Sequence, residues 1–248
     1  MKHAVGYVLL ALWVCCATTA LYADCGASQS FGSPARILNF EAPVRINTAG
    51  SGIVISDFKL NIDPQKISGE TFSIRNDSSK PLVAYVVGVD FYFDTAPNKP
   101  IHAGLSEDSW FLNGAPLEPG RQEACQLAVS LIPHQTVRLQ RVAVNLQYAE
   151  FSDGSVVGVN ARTLKAKFDK NRREKLEVQN HYASMLNSGI SPANVAKQIE
   201  MDLKMGKYQG PQRTALVLIA SELTKLGPEN LAKKLLEAPS IPLSSANP

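Results

Sequence analysis

Few residues of this chain are suited to catalysis, and their spacing matches no known catalytic motif. Outside the first residues the histidines are His102, His134 and His181. No two of them stand at the spacing of a metal site, so we expect isolated histidines. There is no Gly-x-Ser-x-Gly motif, and the glycine-rich stretch at 49–52 lacks the lysine of a phosphate loop. The sequence therefore predicts no catalytic residue, no metal site and no cofactor.

Carboxylates cluster once, around the end of a predicted strand. Asp90, Tyr92 and Asp94 share one strand face, and Glu107 and Asp108 follow in the next segment. Such a cluster can bind calcium, but the Asp-x-Asp-x-Asp-Gly loop is missing. A glycosidase pair needs two carboxylates about 5–10 Å apart, which the sequence does not establish. A solvated acidic face is the simpler interpretation.

Two of the four cysteines are candidates for a disulfide. Cys15 and Cys16 lie in the N-terminal apolar segment, which leaves Cys25 and Cys125. Two cysteines in an exported chain most often form one bridge. Closing a loop of about 100 residues stabilises a fold by on the order of 4–5 kcal/mol in the chain-entropy model. We expect a Cys25–Cys125 disulfide, with two free thiols as the alternative.

A basic run marks the start of the C-terminal third. Contact with an anionic membrane surface or polymer is one interpretation of this run. A solvated helix face is the other and the simpler one, with Asp169 and Arg173 able to pair at i,i+4. Nucleic acid is not expected as a partner of an exported chain. The candidate contact residues are Lys165, Lys167, Lys170, Arg172 and Arg173, with Lys175 close behind.

Residues 1–23 have the pattern of a secretory signal. Lys2 and His3 precede an uncharged stretch with an apolar centre at 8–14, and small residues lead to Ala23. This order of charged, apolar and small residues is typical of a cleaved export signal. The alternative is an uncleaved anchor, because about 20 uncharged residues can span a bilayer. We expect cleavage and a periplasmic or extracellular location.

Hydrophobic periodicity divides the remaining chain into two parts. An extended lead-in at 24–51 is followed by period-two alternation through 52–160, as at Phe58, Leu60 and Ile62. The stretch 82–93 is apolar on both faces, which is typical of a central strand. About seven short strands separated by turn signals predict an antiparallel sandwich. Because their alternation defines a two-faced core, we expect 52–160 to fold without the rest.

One predicted hairpin supplies a candidate partner surface. The pair Asn113-Gly114 favours a type I′ turn between strands at 110–112 and 115–117. Pro116 cannot donate a ladder hydrogen bond, which places its strand at a sheet edge. Trp110 and Phe111 are large aromatic residues of the kind that anchor interfaces. We expect a partner to be captured at Trp110, Phe111 and Pro116, unless both rings simply fill the core.

Several runs in this part resemble immunoglobulin-like or fibronectin-type sandwiches of exported bacterial proteins. They are 72–76, 80–85, 117–120 and the Asp153-Gly154 turn. The resemblance covers about 110 residues and implies an immunoglobulin-like sandwich fold. The Cys…Trp…Cys spacing of true immunoglobulin domains is absent, because Trp110 shortly precedes Cys125 and Cys25 lies before the first strand. Antibody-type recognition is therefore not implied.

From residue 161 the period becomes helical. A charged helix is predicted to run to Leu186, and Ser191-Pro192 supplies an N-cap and an N1 proline for the next. Pro211 opens a third helix that ends at Gly227, and Pro228 opens a fourth. We expect a helical domain over 161–240 and a loose tail over 241–248. The predicted fold class is α+β, an antiparallel immunoglobulin-like β-sandwich followed by a helical C-terminal domain.

These patterns favour an exported, non-catalytic binding or structural protein. Hydrophobic content of 45%, charged content of 19% and a net charge of +3 describe an ordinary folded protein. The expected partner is another envelope or extracellular protein, with peripheral membrane contact as a lesser possibility. One alternative is an enzyme with its site at the sandwich–helix junction. Another is an accessory factor that captures a partner by strand addition.

Overall fold

A computed structural model describes residues 35–38, 42–48, 50–112 and 114–237. The predicted signal at 1–23, Cys25, part of the lead-in and the tail at 241–248 lie outside these residues. The strands, in chain order, are β1 (Ile37–Leu38), β2 (Val44–Asn47), β3 (Ile53–Asp63), β4 (Lys66–Asn76), β5 (Leu82–Phe93), β6 (Ile101–Asp108), β7 (Gln122–Leu131), β8 (Val137–Phe151) and β9 (Val156–Val157). The helices are α1 (Ser109–Leu112), α2 (Ala161–Asn187), α3 (Pro192–Met205) and α4 (Gly210–Leu236).

The strands form two sheets that share one core, and the α+β class is confirmed. One sheet has the order β1-β8-β5-β6, with β2 and β9 also paired to β8, and the other has the order β3-β4-β7. As predicted, β5 is central. Apolar side chains of both sheets pack together, for example Phe72 and Ile74 of β4 with Val89 and Phe91 of β5.

The larger sheet is mixed rather than purely antiparallel. β1 and β2 both pair with β8 in parallel, and Val44 lies opposite Val142. The reason is the length of β8, whose 15 residues offer an edge for several short segments. Two segments of the predicted lead-in, β1 and β2, are therefore part of the sheet.

The predicted strand at 110–112 is wrong, because these residues form α1. The carboxylate of Asp108 accepts hydrogen bonds from the backbone N–H groups of Trp110 and Phe111, each at 3.1 Å. An aspartate in this position satisfies the free N–H groups of a helical turn. The cap stabilises a helical turn where the Asn-Gly pair had predicted the end of a strand. The first residue of that pair lies outside the described residues.

The predicted edge strand at 115–117 is wrong too. Leu117 makes one isolated bridge to Leu82, with two backbone hydrogen bonds of 2.9 Å. Pro116 precedes this bridge outside any strand, so the edge inferred from its missing N–H does not exist. The Asp153-Gly154 turn does join two antiparallel strands, β8 and β9, as expected.

The helices follow the predicted boundaries closely. Ser191 caps α3 by accepting the N–H of Asn194 at 3.4 Å, with Pro192 at N1. The backbone of α4 leaves helical geometry at Gly227 (φ 75°, ψ 168°), which confirms the predicted break before Pro228. A second core joins α2, α3 and α4. α2 also packs on the outer face of the six-stranded sheet, where the Phe168 ring stacks on that of Tyr148 with centroids 4.9 Å apart.

Candidate functional site

Arg172 of the basic run is buried at the junction between the sheet and α2. Its Nε and Nη2 donate to the two oxygens of Asp108 at 2.9 and 3.0 Å, and Nη2 lies 2.9 Å from Oε2 of Glu150. The Arg172 side chain is 0% exposed. It is therefore unable to contact an anionic surface, and that prediction is wrong for Arg172. Two carboxylates buried beside the sheet need a cation, which explains why the arginine points inward.

Of the other basic residues, Lys165 is part of this buried network, whereas Lys167, Lys170 and Arg173 are exposed and Lys170 pairs with Glu174 on the same helix. Lys165 Nζ lies 3.0 Å from Oε1 of Glu150 and 2.8 Å from Oδ1 of Asp169, so Lys165 belongs to the same network. The helical i,i+4 pair that holds Asp169 is thus the one with Lys165.

The predicted partner residues Trp110 and Phe111 lie at this junction as well. The Arg172 guanidinium lies over the Trp110 ring at 4.6 Å. Lys175 Nζ donates to the carbonyl oxygens of Trp110 and Phe111 at 2.9 and 2.6 Å, which satisfies the end of α1. Burial lowers the pKa of Lys175 to about 8. Aromatic rings and buried charges therefore fasten α1 and α2 to the sheet.

The carboxylates of the junction are paired with protein groups. Tyr148 donates to Oε2 of Glu150 at 2.6 Å, so that carboxylate has a neutral donor besides its cations. Burial raises the pKa of Asp108 against the opposing effect of Arg172. Every carboxylate here already has a protein partner. Acid–base catalysis instead requires a group within reach of a substrate proton.

A cleft opens at one end of the sandwich, between the two sheets. Its volume is about 390 Å³, in the lower part of the range of about 300–1,000 Å³ found for small-molecule sites. The polar residues around it are Thr95, Ser130, His134 and Gln135. The apolar lining consists of Ile37, Phe93, Ile101, Leu131, Ile132, Pro133 and Val137.

Strand ends position the lining of this cleft. β5 ends at Phe93, β6 begins at Ile101, and the loop at 132–136 joins β7 to β8. β1 closes one side, since the N–H of Ile37 donates to the Pro64 carbonyl at 2.7 Å. Ile132 is 67% exposed and Ile101 is 46% exposed. Apolar side chains that stand exposed around a concave surface mark binding sites.

His102 is not isolated, contrary to the sequence-based expectation. Its Nδ1 lies 2.6 Å from Oδ1 of Asp90, which faces it across β5 and β6, and the Asn145 amide donates to Asp90 Oδ2 at 3.4 Å. A carboxylate on one ring nitrogen fixes the orientation of an imidazole. The His102 side chain is 70% exposed. Sequence reasoning missed this pair because β5–β6 register is not visible in the sequence.

Glu70 was missed as well, although its position gives a signal. It has the same strand parity as Phe72 and Ile74, which point into the core. Gly69 has φ +70° beside a shift in the β4–β7 register. Glu70 is fully buried, and neither carboxylate oxygen has a hydrogen-bond partner. Burial raises the pKa of Glu70 to about 7.

Cys125 is a buried free thiol in the described part of the chain. It lies 3.4 Å from the hydroxyl of Tyr85, and burial raises the pKa of the thiol to about 11. A thiol with a raised pKa is a poor nucleophile. Cys25 lies outside the described residues, so the predicted disulfide stays a prediction.

The sequence matches no known protein-family model, and no curated protein resembles it closely enough to count as a relative. Among the described residues, no three His, Cys, Asp or Glu side chains come together in a way that fits a metal ion. None of the described helices combines the length and the apolar character that crossing a bilayer requires.

Proposed function

We propose that this protein is an exported, non-catalytic binding module with an immunoglobulin-like sandwich, and that the cleft at the sandwich end is its binding site. Export rests on the signal pattern of residues 1–23. The observation that carries the binding site is the 390 Å³ cleft with Ile101 and Ile132 exposed at its mouth. Exposed apolar groups around a cavity gain free energy when a ligand or partner covers them.

The expected partner is another envelope or extracellular protein, or a molecule found there. Capture from the native envelope fraction with purified full chain as bait tests the proposal. An Ile101→Ser/Ile132→Ser variant should lose the captured component without losing stability, because both side chains are exposed. The matched control is Ile190→Ser/Met205→Ser, which removes exposed apolar side chains from the helical part. Equal capture by both variants would place the binding site elsewhere.

Strand addition is the second candidate function, and β6 is the element that favours it. β6 spans eight residues at the end of the sheet order, and within the described part of the chain it pairs only with β5. Unpaired main-chain groups at a sheet edge accept an added strand. Hydrogen exchange separates the two candidates. Strand addition should slow exchange of the β6 amides when the partner binds, whereas binding in the cleft should slow exchange at 132–137.

A further inference from the structure

We propose that the cleft binds the hydrocarbon chain of an anionic amphiphile, with a long-chain carboxylate as the simplest example. This inference rests on the proposed function, which requires only that the cleft be a binding site, and it adds the chemistry of the ligand. It follows from two separate observations: the lining of the cleft contains no aspartate, glutamate, lysine or arginine of the described residues, and its surroundings carry charge.

The lining of the cleft favours the hydrocarbon chain of a ligand. No aspartate, glutamate, lysine or arginine of the described residues lines the cleft. An ionised group placed inside it would lose its hydration without gaining a carboxylate, ammonium or guanidinium counter-ion among these lining residues, which is unfavourable. Covering apolar surface is favourable. The hydrocarbon part of a ligand therefore enters and its charged head stays outside.

The surroundings of the cleft select a negative head group. Arg36 immediately precedes Ile37 at the start of β1, and Arg138 follows Val137 on β8. Strand alternation turns the Arg138 side chain to the face opposite Val137. Lys66 is the first residue of β4, and Lys99 lies in the loop between β5 and β6, at the same end. All four side chains belong to exposed residues, and among the described residues none takes part in an ion pair.

Carboxylates at this end are fewer than the cations, and they accept hydrogen bonds from backbone N–H groups. Asp63 accepts hydrogen bonds from the N–H groups of Gln65 and Lys66 at 2.7 and 2.9 Å. Asp94 accepts the N–H of Arg138 at 2.9 Å. Among the described residues in these strand ends and turns, four cations stand against two anions, so an anionic head outside the cleft is attracted and a cationic one repelled.

Titration calorimetry of the full chain with two surfactants of equal chain length tests the inference. We expect dodecanoate to bind at one site, about tenfold more tightly at low salt than dodecyltrimethylammonium. Added salt should narrow this difference, since the charges that produce it are exposed. Acetate, which lacks the chain, should not bind.

Two pairs of variants locate the site. Thr95→Trp fills the cleft from an exposed position and should abolish dodecanoate binding, whereas Thr163→Trp on α2 should leave it unchanged. Arg36→Gln/Arg138→Gln should remove most of the preference for the anion. The double control Arg162→Gln/Arg173→Gln, which removes two exposed arginines from α2, should preserve it.

Other outcomes overturn the inference in ways that distinguish it from the proposed function. Equal binding of both surfactants, abolished by Thr95→Trp, would refute the anionic head and keep the cleft as a binding site. If neither surfactant binds but Thr95→Trp abolishes self-association or capture of an envelope protein, the ligand class is wrong and the binding function stands. Failure of every probe, with the same captured components for Thr95→Trp and wild type, would refute both.

Discussion

The junction beneath α2 and the cleft between the two sheets differ in what they bury. The junction buries charged side chains, whereas the cleft leaves aliphatic side chains exposed. At the junction Asp108, Glu150 and Arg172 are buried together, and each charge is paired. At the cleft, aliphatic side chains such as Ile132 remain in contact with water. Burying charge is costly and exposing aliphatic surface is unfavourable, so neither arrangement follows from stability alone. The junction uses its charges to fix where α2 attaches, and the cleft retains surface that binding can cover.

Removing the helices should have the largest effect on stability, because it takes away one side of the junction. A fragment spanning residues 52–160 keeps Asp108 and Glu150 but lacks Arg172, and Tyr148 loses the stacked ring of Phe168. It also lacks β1 and β2, which pair with β8 in the full chain. We expect the fragment not to unfold cooperatively, which reverses the expectation drawn from strand alternation. Circular dichroism during urea titration of the fragment and of the full chain measures the effect. A cooperative transition in the fragment would show that the junction is dispensable.

Arg172→Met should have the next largest effect. It leaves two buried carboxylates without their main counter-charge, which costs about 3–5 kcal/mol of unfolding free energy. Chemical denaturation measures the loss. Arg173→Met, on the exposed neighbouring residue, is the matched control and should change stability by less than about 0.5 kcal/mol. Similar losses in the two variants would mean that the buried pairs contribute little.

Glu70→Gln should change the pH dependence of stability. The pKa of Glu70 is about 7 in the folded chain against an ordinary value of 4.5, so the folded state binds more protons between these values. Stability should therefore fall as pH rises from 4.5 through 7, by on the order of 3 kcal/mol. The substituted glutamine carries no charge, and this fall should disappear. Melting temperatures across that range, with Glu118→Gln as the exposed control, measure the difference.

Ile132→Ser should have the smallest effect on folding. Its side chain is 67% exposed, so truncation at the cleft mouth should change the unfolding free energy by no more than about 0.5 kcal/mol. Denaturation of this variant beside wild type measures it. A loss of several kcal/mol would show that Ile132 is part of the core, and the cleft would then lose its main argument.

Local signals predicted the fold well, and signals between distant residues did not. The adjacent residues Ser191 and Pro192 predict the start of α3, and Gly227 and Pro228 predict the break in α4. The prediction of a hairpin at Asn113-Gly114 was wrong because the residue that caps α1, Asp108, lies several positions before that pair. The α+β class followed from the change of hydrophobic period at residue 161.

The candidate site depended on information that a single sequence does not display. The cleft combines Ile37 with side chains almost 100 positions later, such as Ile132, and only the parallel pairing of β1 with β8 brings them together. Similarly, Arg172 looks like its exposed neighbours in the basic run. Its burial depends on the position of Asp108 in another element.

The parallel pairing of β1 and β2 with β8 also determines the order in which the chain can fold. Val44 pairs with Val142, so the first strands wait for a partner that leaves the ribosome roughly 100 residues later. Contacts so far apart in sequence form slowly, because the intervening loop must close first. β1 and β2 therefore lack their β8 partner until the chain has grown beyond residue 142. During that time the two strands cannot complete the sheet, a state that the predicted export through a narrow channel would require.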